Sequence, residues 1–264
     1  MYTVVNILRN SLRPGWGPII ARKIAVRLKE KPKLEGDAAV KAWCASRQVD
    51  LETWAKKINR EQWIEAEEFF TQRREASKIK LSDVGYDLGG GGAYNLLYFL
   101  VRILQPQTVV ETGVAAGFSS AAILSALDKN GQGHLYSSDF PYFRMAEPIK
   151  FVGILVDEEL KARWTLYCAG DRANLPRIAE QVERVDLVHY DSDKSIDGRS
   201  FGLQTLKEKM SPDSVVIFDD IQDNTHFMQL VTESRRPFLV FAFEDKWLGM
   251  FGGPSEFYDE LSSS

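Results

Sequence analysis

Val109-Val110-Glu111-Thr112-Gly113-Val114-Ala115-Ala116-Gly117-Phe118-Ser119-Ser120 reads as a buried strand, a glycine turn and the start of a helix. The β-branched run suits a strand. Gly113 and Gly117 permit a backbone to approach a ligand closely. The spacing is not Gly-x-Gly-x-x-Gly, and no Gly-Lys-Ser/Thr follows, so neither a dinucleotide fingerprint nor a phosphate loop is present. Glu111 closes the strand just before the turn, and the reading faces it toward the ligand. A carboxylate there repels a pyrophosphate and suits a cation.

Downstream of this stretch, strand-like and helix-like segments alternate. The strands are Thr108–Val114, Gly133–Phe140, Trp164–Ala169, Val185–Asp191 and Ser214–Ile221. Helices are expected at 118–128, near 149–160, and at 172–183, 200–209 and 226–234. Such alternation predicts parallel strands with right-handed crossovers. The end of the chain breaks the pattern. Phe238–Glu244 and Trp247–Gly252 are joined too tightly for a crossover helix and predict an antiparallel hairpin. The expected fold is therefore α/β: a doubly wound, mostly parallel sheet with one antiparallel strand and an N-terminal helical extension.

Upstream, residues 37–58 and 60–79 read as helices, with Asp37 as a cap for the first. Gly89-Gly90-Gly91-Gly92 then makes a joint, because four glycines hold neither helix nor strand well. The expected division is a helical region over 1–88, the joint at 89–92 and a catalytic domain over 93–264. Tyr94 and Asn95, just past the joint, are candidates to close over a ligand. Trp247 and Phe251 of the hairpin are assigned to the core.

The composition agrees with a globular protein. The chain has 264 residues, 44% hydrophobic and 27% charged, with a net charge of −4. A chain with that balance is not a general nucleic-acid binder. Cys44 and Cys168 exclude a disulfide framework and fit a reducing compartment. The apolar runs at Leu96–Val101 and Phe238–Phe243 are too short for a bilayer, and no signal pattern is read at the N-terminus, so a cytoplasmic protein is expected. The charge is uneven. Residues 1–33 carry eight basic residues against Glu30, a net +7 that leaves about −11 for the rest. Ile20, Ile24 and Leu28 stripe a short helix over 19–28. That stripe either packs on the body of the protein or on a second subunit, or lies on an anionic membrane surface.

Successive strand ends carry further candidates. Leu135-Tyr136-Ser137-Ser138-Asp139 ends in an acid placed to take ribose hydroxyls. Gly170-Asp171 opens the next helix. Asp191 ends the fourth strand, with Lys194 three positions on. Asp219-Asp220 ends the fifth. If these strands are neighbours, three carboxylates converge and need a counter-charge. Such a hard oxygen set favours magnesium, manganese or calcium over zinc. His226, following the acidic pair, is a candidate base or substrate contact, and His189 is read as a core histidine.

Glu-x-Gly-x-x-x-Gly-Phe-Ser-Ser, the Asp139 strand, Gly170-Asp171 and the terminal hairpin together resemble the class I S-adenosylmethionine (SAM)-dependent methyltransferases. The closest branch is that of catechol-type and small-molecule or sugar O-methyltransferases, and the resemblance covers about residues 93–254. It implies a seven-stranded sheet with the hairpin strand antiparallel. It places Gly113, Gly117 and Ser119 along the methionine part of the cofactor, Glu111 near its cationic end, Asp139 on the ribose and Asp171 near the adenine. It also implies a metal bound by Asp191, Asp219 and Asp220, Mg2+ or another hard divalent cation, with Lys194 as proton acceptor. Asp220 departs from the Asn of the metal-dependent branch. The expected function is metal-assisted methylation of a small-molecule or sugar hydroxyl, by a homo-oligomer. The alternatives are a metal-independent transferase using His226 as base, and a cofactor-binding protein of the same fold without turnover.

Overall fold

A computed structural model describes residues 2–30 and 38–263. Asp37 lies outside them. The helices are α1 (Tyr2–Ser11), α2 (Trp16–Glu30), α3 (Ala38–Arg47), α4 (Leu51–Leu81), α5 (Tyr94–Leu104), α6 (Phe118–Asn130), α7 (Asp171–Gln181), α8 (Ile196–Leu206) and α9 (His226–Ser234). The strands are β1 (Gln48–Val49), β2 (Thr108–Thr112), β3 (His134–Ser138), β4 (Trp164–Tyr167), β5 (Val185–Tyr190), β6 (Met210–Phe218), β7 (Phe238–Phe243) and β8 (Lys246–Phe251).

One eight-stranded sheet runs in the order β1-β7-β8-β6-β5-β2-β3-β4. β8 lies antiparallel between β6 and β7, and all other pairings are parallel. The expected seven strands are present; the eighth is the two-residue β1, which pairs with β7 from within the N-terminal region.

The strands are buried on both faces, yet period-two alternation still sorts their side chains. Val109, Leu187, Val215, Ile217 and Phe241 join one core layer with α4, α5 and α6. Val110, Val188, Val216, Phe218 and Val240 join the other, against α3, α7, α8 and α9. Trp54 of α4 ties the N-terminal helices to the first layer. It packs on Phe99, Phe241 and Phe257, and its indole N–H donates to the Phe257 carbonyl at 2.9 Å. The break expected between residues 58 and 60 is a kink at Asn59, whose side chain caps the next turn by accepting from Gln62 N–H at 3.1 Å.

The helix expected near 149–160 is not formed. Two short 3-10 turns, Pro148–Phe151 and Glu158–Arg163, flank an irregular bend. Gly153 explains it: its φ is +67°, and an added Cβ would lie 2.3 Å from the Trp164 ring. The indole takes the space a continuous helix would need.

The apolar stripe of α2 is packed at Ile20 and Ile24, while Leu28 is exposed. Ile20 is buried with Phe140 and Phe143, and Ile19 and Ile24 pack on the same cluster. Arg22 reaches Asp197 at 2.7 Å. Among the described residues, no helix is long and apolar enough to cross a membrane.

Candidate active site

Four backbone bonds extend the parallel ladder one residue past the strand ends. Asp139 N–H donates to Tyr167 C=O at 2.8 Å, and Gly113 N–H to Ser138 C=O at 2.8 Å. Asp191 N–H donates to Thr112 C=O at 3.0 Å, and Asp219 N–H to Tyr190 C=O at 3.1 Å. The backbone at the carboxyl edge thus fixes the candidate residues in a row, where open α/β sheets bind ligands.

Two cavities open along this edge. The first, about 180 Å³, is lined by Gly89–Gly92, Tyr94, Gly113, Ser119, His189, Asp191, Asp219 and Lys246, among others. The second, about 150 Å³, is lined by Lys23, Asp139, Phe140, Tyr142, Gly170, Asp171 and Ser192. Gly113, Ala115 and Asp191 wall both, so the two form one cleft over the glycine turn. The glycine run does more than join segments. Gly91 has φ +77°, and a Cβ there would lie 2.8 Å from Phe118 Cβ, so the chain can fold over the first turn of α6 only as glycine.

In the second cavity, Asp171 accepts from Ser138 Oγ at 2.6 Å and from Ser192 Oγ. Burial raises the pKa of Asp139 from 3.8 to about 6 and that of Asp171 in the same direction. Lys23 reaches this cavity from α2, with Nζ 5.7 Å from the Phe140 ring centroid.

Asp191 and Asp219 line the first cavity; Asp220 and Lys194 line neither cavity, but Asp191, Asp219 and Asp220 each offer an oxygen within 4.8 Å of the others. Lys194 Nζ lies 3.0 Å from Asp191 Oδ1 and also pairs with Asp220. Lys246 Nζ lies 3.4 Å from Asp220 and 3.8 Å from Asp219. Two ammoniums thus face three carboxylates. Asp191 Oδ1 is buried, with the Lys194 ammonium as its polar neighbour. Burial, and then the neighbouring Asp219 charge, push the Asp191 pKa up. Behind the cluster, fully buried Arg199 donates to the carbonyls of Asp219 and Asp220, both at 2.8 Å. It holds the turn in which Asp220 takes a left-handed φ of +50°.

Three expected placements are corrected. Glu111 does not face the cleft: it is fully buried beneath the glycine turn and lines neither cavity. It accepts from Ser120 Oγ at 2.6 Å and Ser137 Oγ at 2.8 Å, with His189 Nδ1 3.7 Å away. Strand alternation turns position 111 toward α6, on the same face as Val109. Burial alone lowers the His189 pKa, but the Glu111 carboxylate outweighs it and the net direction is up. His189 is a buried histidine that also lines the first cavity. Gly117 lines neither cavity either; it packs on the 152–156 bend, where a Cβ would meet Gly153 Cα at 2.9 Å. His226 starts α9, buried against Phe218, and lines neither cavity; burial depresses its pKa to about 4. Asn95 is turned to Glu67 at 2.6 Å, while Tyr94 lines the first cavity.

Lys23, Lys246 and Arg199 were absent from the sequence candidates. The sequence signal for Lys246 was its place in the three-residue hairpin loop next to the Asp219-Asp220 strand. For Lys23 and Arg199 no local signal exists.

The Glu111 contacts carry a prediction. Glu111→Ala leaves two buried hydroxyls without their acceptor and His189 without its neighbouring carboxylate, and is expected to lower stability by about 3 kcal/mol. An unchanged urea midpoint would rule out the anchoring role.

Residues 110–221 match the family profile described as a methyltransferase domain. No curated protein matches the chain. Solved structures share the fold at low identity. An O-methyltransferase candidate from Klebsiella pneumoniae aligns at TM-score 0.54 and 15% identity, covering 69% of this chain and 90% of that one. The O-methyltransferase from Bacillus cereus in complex with SAH aligns at 0.52 and 15%, with the same coverage. TomG from Streptomyces achromogenes, an O-methyltransferase involved in tomaymycin synthesis and solved with SAM, aligns at 0.51 and 16%, covering 70% and 89%. The matched segment contains the glycine turn, the Asp139 strand end and both acidic strand ends, on a sheet whose antiparallel strand is β8. Residues 110–221 of this chain are therefore similar to a methyltransferase domain, set in the fold that these solved structures share.

Proposed function

We propose that the protein is an O-methyltransferase that methylates a hydroxyl of a small molecule or sugar with assistance from a divalent metal. The observation that carries this is the junction of the two cavities. The glycine turn and the Asp139–Asp171 end meet the carboxylate cluster at Asp191, which walls both. A cofactor lying along the cleft has its reactive end beside that cluster. The bound cofactor supplies an activated methyl on a sulfonium centre.

The carboxylate set fits a hard cation in its chemistry. It offers three carboxylate oxygen donors within 4.8 Å of one another, two of the three residues buried, and no nitrogen or sulfur ligand. Asp191, Asp219 and Asp220 are assigned to hold Mg2+ or a similar ion, which when bound lowers the pKa of an acceptor hydroxyl. Lys194, beside Asp191 and Asp220, is assigned to receive the hydroxyl proton as the neutral amine, a form that a cation bound at those carboxylates would favour over the ammonium. Asp139 is assigned to the ribose hydroxyls and Asp171 to the adenine side. Gly113 lets the chain approach the methionine part, and Ser119 faces the same cavity. Residues 93–264 form the catalytic domain in this proposal. Residues 89–92 and the helices of 1–88 close the cleft, supported by the glycine run in one cavity and Lys23 in the other. Two free cysteines support a reducing, cytoplasmic setting.

A metal-free form of the same reaction is favoured by one observation: Lys194 and Lys246 already supply counter-charge to the cluster. Transfer of labelled methyl from SAM to a panel of catechols and sugars, with EDTA and then with Mg2+, separates the two. Loss with EDTA and recovery with Mg2+ is expected; full activity in EDTA leaves the metal-free form. Absence of SAM or SAH binding by calorimetry would sink both.

Asp139 gives a pH prediction. Its pKa in the folded protein lies above the ordinary 3.8, so ionising it costs stability as pH climbs from about 4 to about 6. Ribose hydroxyls donating to the carboxylate recover that cost. SAH affinity is therefore expected to rise with pH through about 6, and Asp139→Asn to flatten the profile. A wild-type profile as flat as the variant's would remove Asp139 from the cofactor contacts.

A further inference from the structure

Helix α1 is mounted by two buried asparagines and by Ile7, which packs on the Ile20–Phe140–Phe143 cluster. Asn6 donates to the Arg144 carbonyl at 3.0 Å, and Asn10 to the carbonyls of Phe143 and Met145 at 2.9 and 2.8 Å. Both asparagines are buried. The opposite side is apolar: Val4, Val5, Leu8 and Leu12 are 63%, 57%, 64% and 86% exposed. At 3.6 residues per turn, Val5 and Leu8 lie on the side of α1 away from the asparagines, and Leu12, in the turn just past the helix, extends the exposed apolar patch. Scattered exposed apolar residues are normal, but a contiguous stripe of them on a ten-residue helix and the turn after it marks an interaction site.

The charge around the stripe selects the occupant. α1 contains no acid, and Arg9 is exposed on it. The whole segment 1–33 is net +7. A second copy of this chain is a poor fit. A two-fold contact sets the same patch against itself and so brings two +7 segments together. A helix of ten residues also falls short of the roughly 800 Å² per partner of a stable interface. An anionic surface with an apolar interior answers both the stripe and the charge.

We infer that the outer face of α1 docks on an anionic lipid bilayer. Val5, Leu8 and Leu12 enter the boundary between headgroups and acyl chains, and Arg9 meets lipid phosphates. This moves the role the sequence had offered to the α2 stripe onto α1, since Ile20 and Ile24 of that stripe are occupied by Phe140 and Phe143. It also sets the bilayer next to the cofactor cleft, because α2, which follows α1 directly, carries Lys23 into the second cavity. The inference is independent of the methyl-transfer reading.

The test is co-sedimentation of the full chain with vesicles of phosphatidylcholine alone, or with about 30% phosphatidylglycerol added. Pelleting with the anionic vesicles is expected, weakening as salt is raised and small with phosphatidylcholine alone. The double variant Leu8→Glu/Leu12→Glu is expected to bind at least about tenfold more weakly, and Arg9→Gln to lose less. Melting temperature and SAH affinity of the double variant should stay at wild-type values, since both leucines are exposed. Wild-type protein left in the supernatant with anionic vesicles would overturn the inference. So would a double variant that pellets like wild type. A wild-type dimer in sedimentation velocity that the double variant dissolves would assign the face to a second copy instead.

Discussion

Gly113→Val is expected to abolish SAH binding and to lower the unfolding free energy by about 2–5 kcal/mol. Gly113 sits at φ +86°, a conformation that costs an L side chain about 1–2 kcal/mol by itself. A Cβ there would stand 2.4 Å from the Asp191 carbonyl oxygen, 2.7 Å from its carbon and 3.1 Å from Ser192 N. These are backbone atoms, so no rotamer change relieves the overlap. Moving the backbone breaks the bonds that link Gly113 N–H to Ser138 and Asp191 N–H to Thr112. Both cavities share this residue, so the cleft loses its floor along with its stability. Gly90→Ala is the control for stability: no atom lies within 4 Å of the added Cβ and φ is not left-handed, so a change within about 0.5 kcal/mol is expected. Urea denaturation and calorimetric titration with SAH read both effects. A Gly113→Val protein that melts and binds like wild type would refute the close approach.

The same residue shows what the sequence could express. A strand, a glycine turn and a helix are adjacent in the chain, so their junction is written in one short stretch. The acids at 139, 191 and 219 were legible for the same reason, each ending a strand whose apolar run marks it. Glu111 was placed at the right strand end but on the wrong face. Whether an alternating residue in a doubly buried strand points to ligand or to core depends on which helix covers it, here α6 with Ser120. Lys23, Arg199 and Lys246 reach the site from other elements. Lys246 is brought there by β8 inserting between β6 and β7, and Lys23 by α2 packing on the 140–143 loop. Those are long-range packing outcomes with no local pattern. His226 drew notice because histidines are scarce, and scarcity says nothing about which way a side chain points.

Lys194→Arg is expected to lower kcat by about 10²–10⁴-fold while leaving SAH affinity within about threefold. Two roles are open to Lys194: receiving the acceptor's proton, or only balancing the charge of Asp191 and Asp220. Arginine separates them. It keeps the positive charge and the pairing with both carboxylates, but its guanidinium does not release a proton in proteins and so cannot take one. A pure counter-charge therefore survives Lys194→Arg and fails in Lys194→Met, because the methionine leaves the cluster with Lys246 as its remaining ammonium contact. A proton acceptor fails in both. Denaturation midpoints of the two variants show whether pairing is kept, since loss of the charge should destabilise only Lys194→Met. Lys246→Met extends the argument: with Lys194 intact, proton transfer is preserved and only acceptor binding is expected to weaken, as a rise in KM with kcat held. Full activity in Lys194→Arg would move the proton acceptor to a nitrogen base that lines the first cavity, where His189 and Lys246 stand.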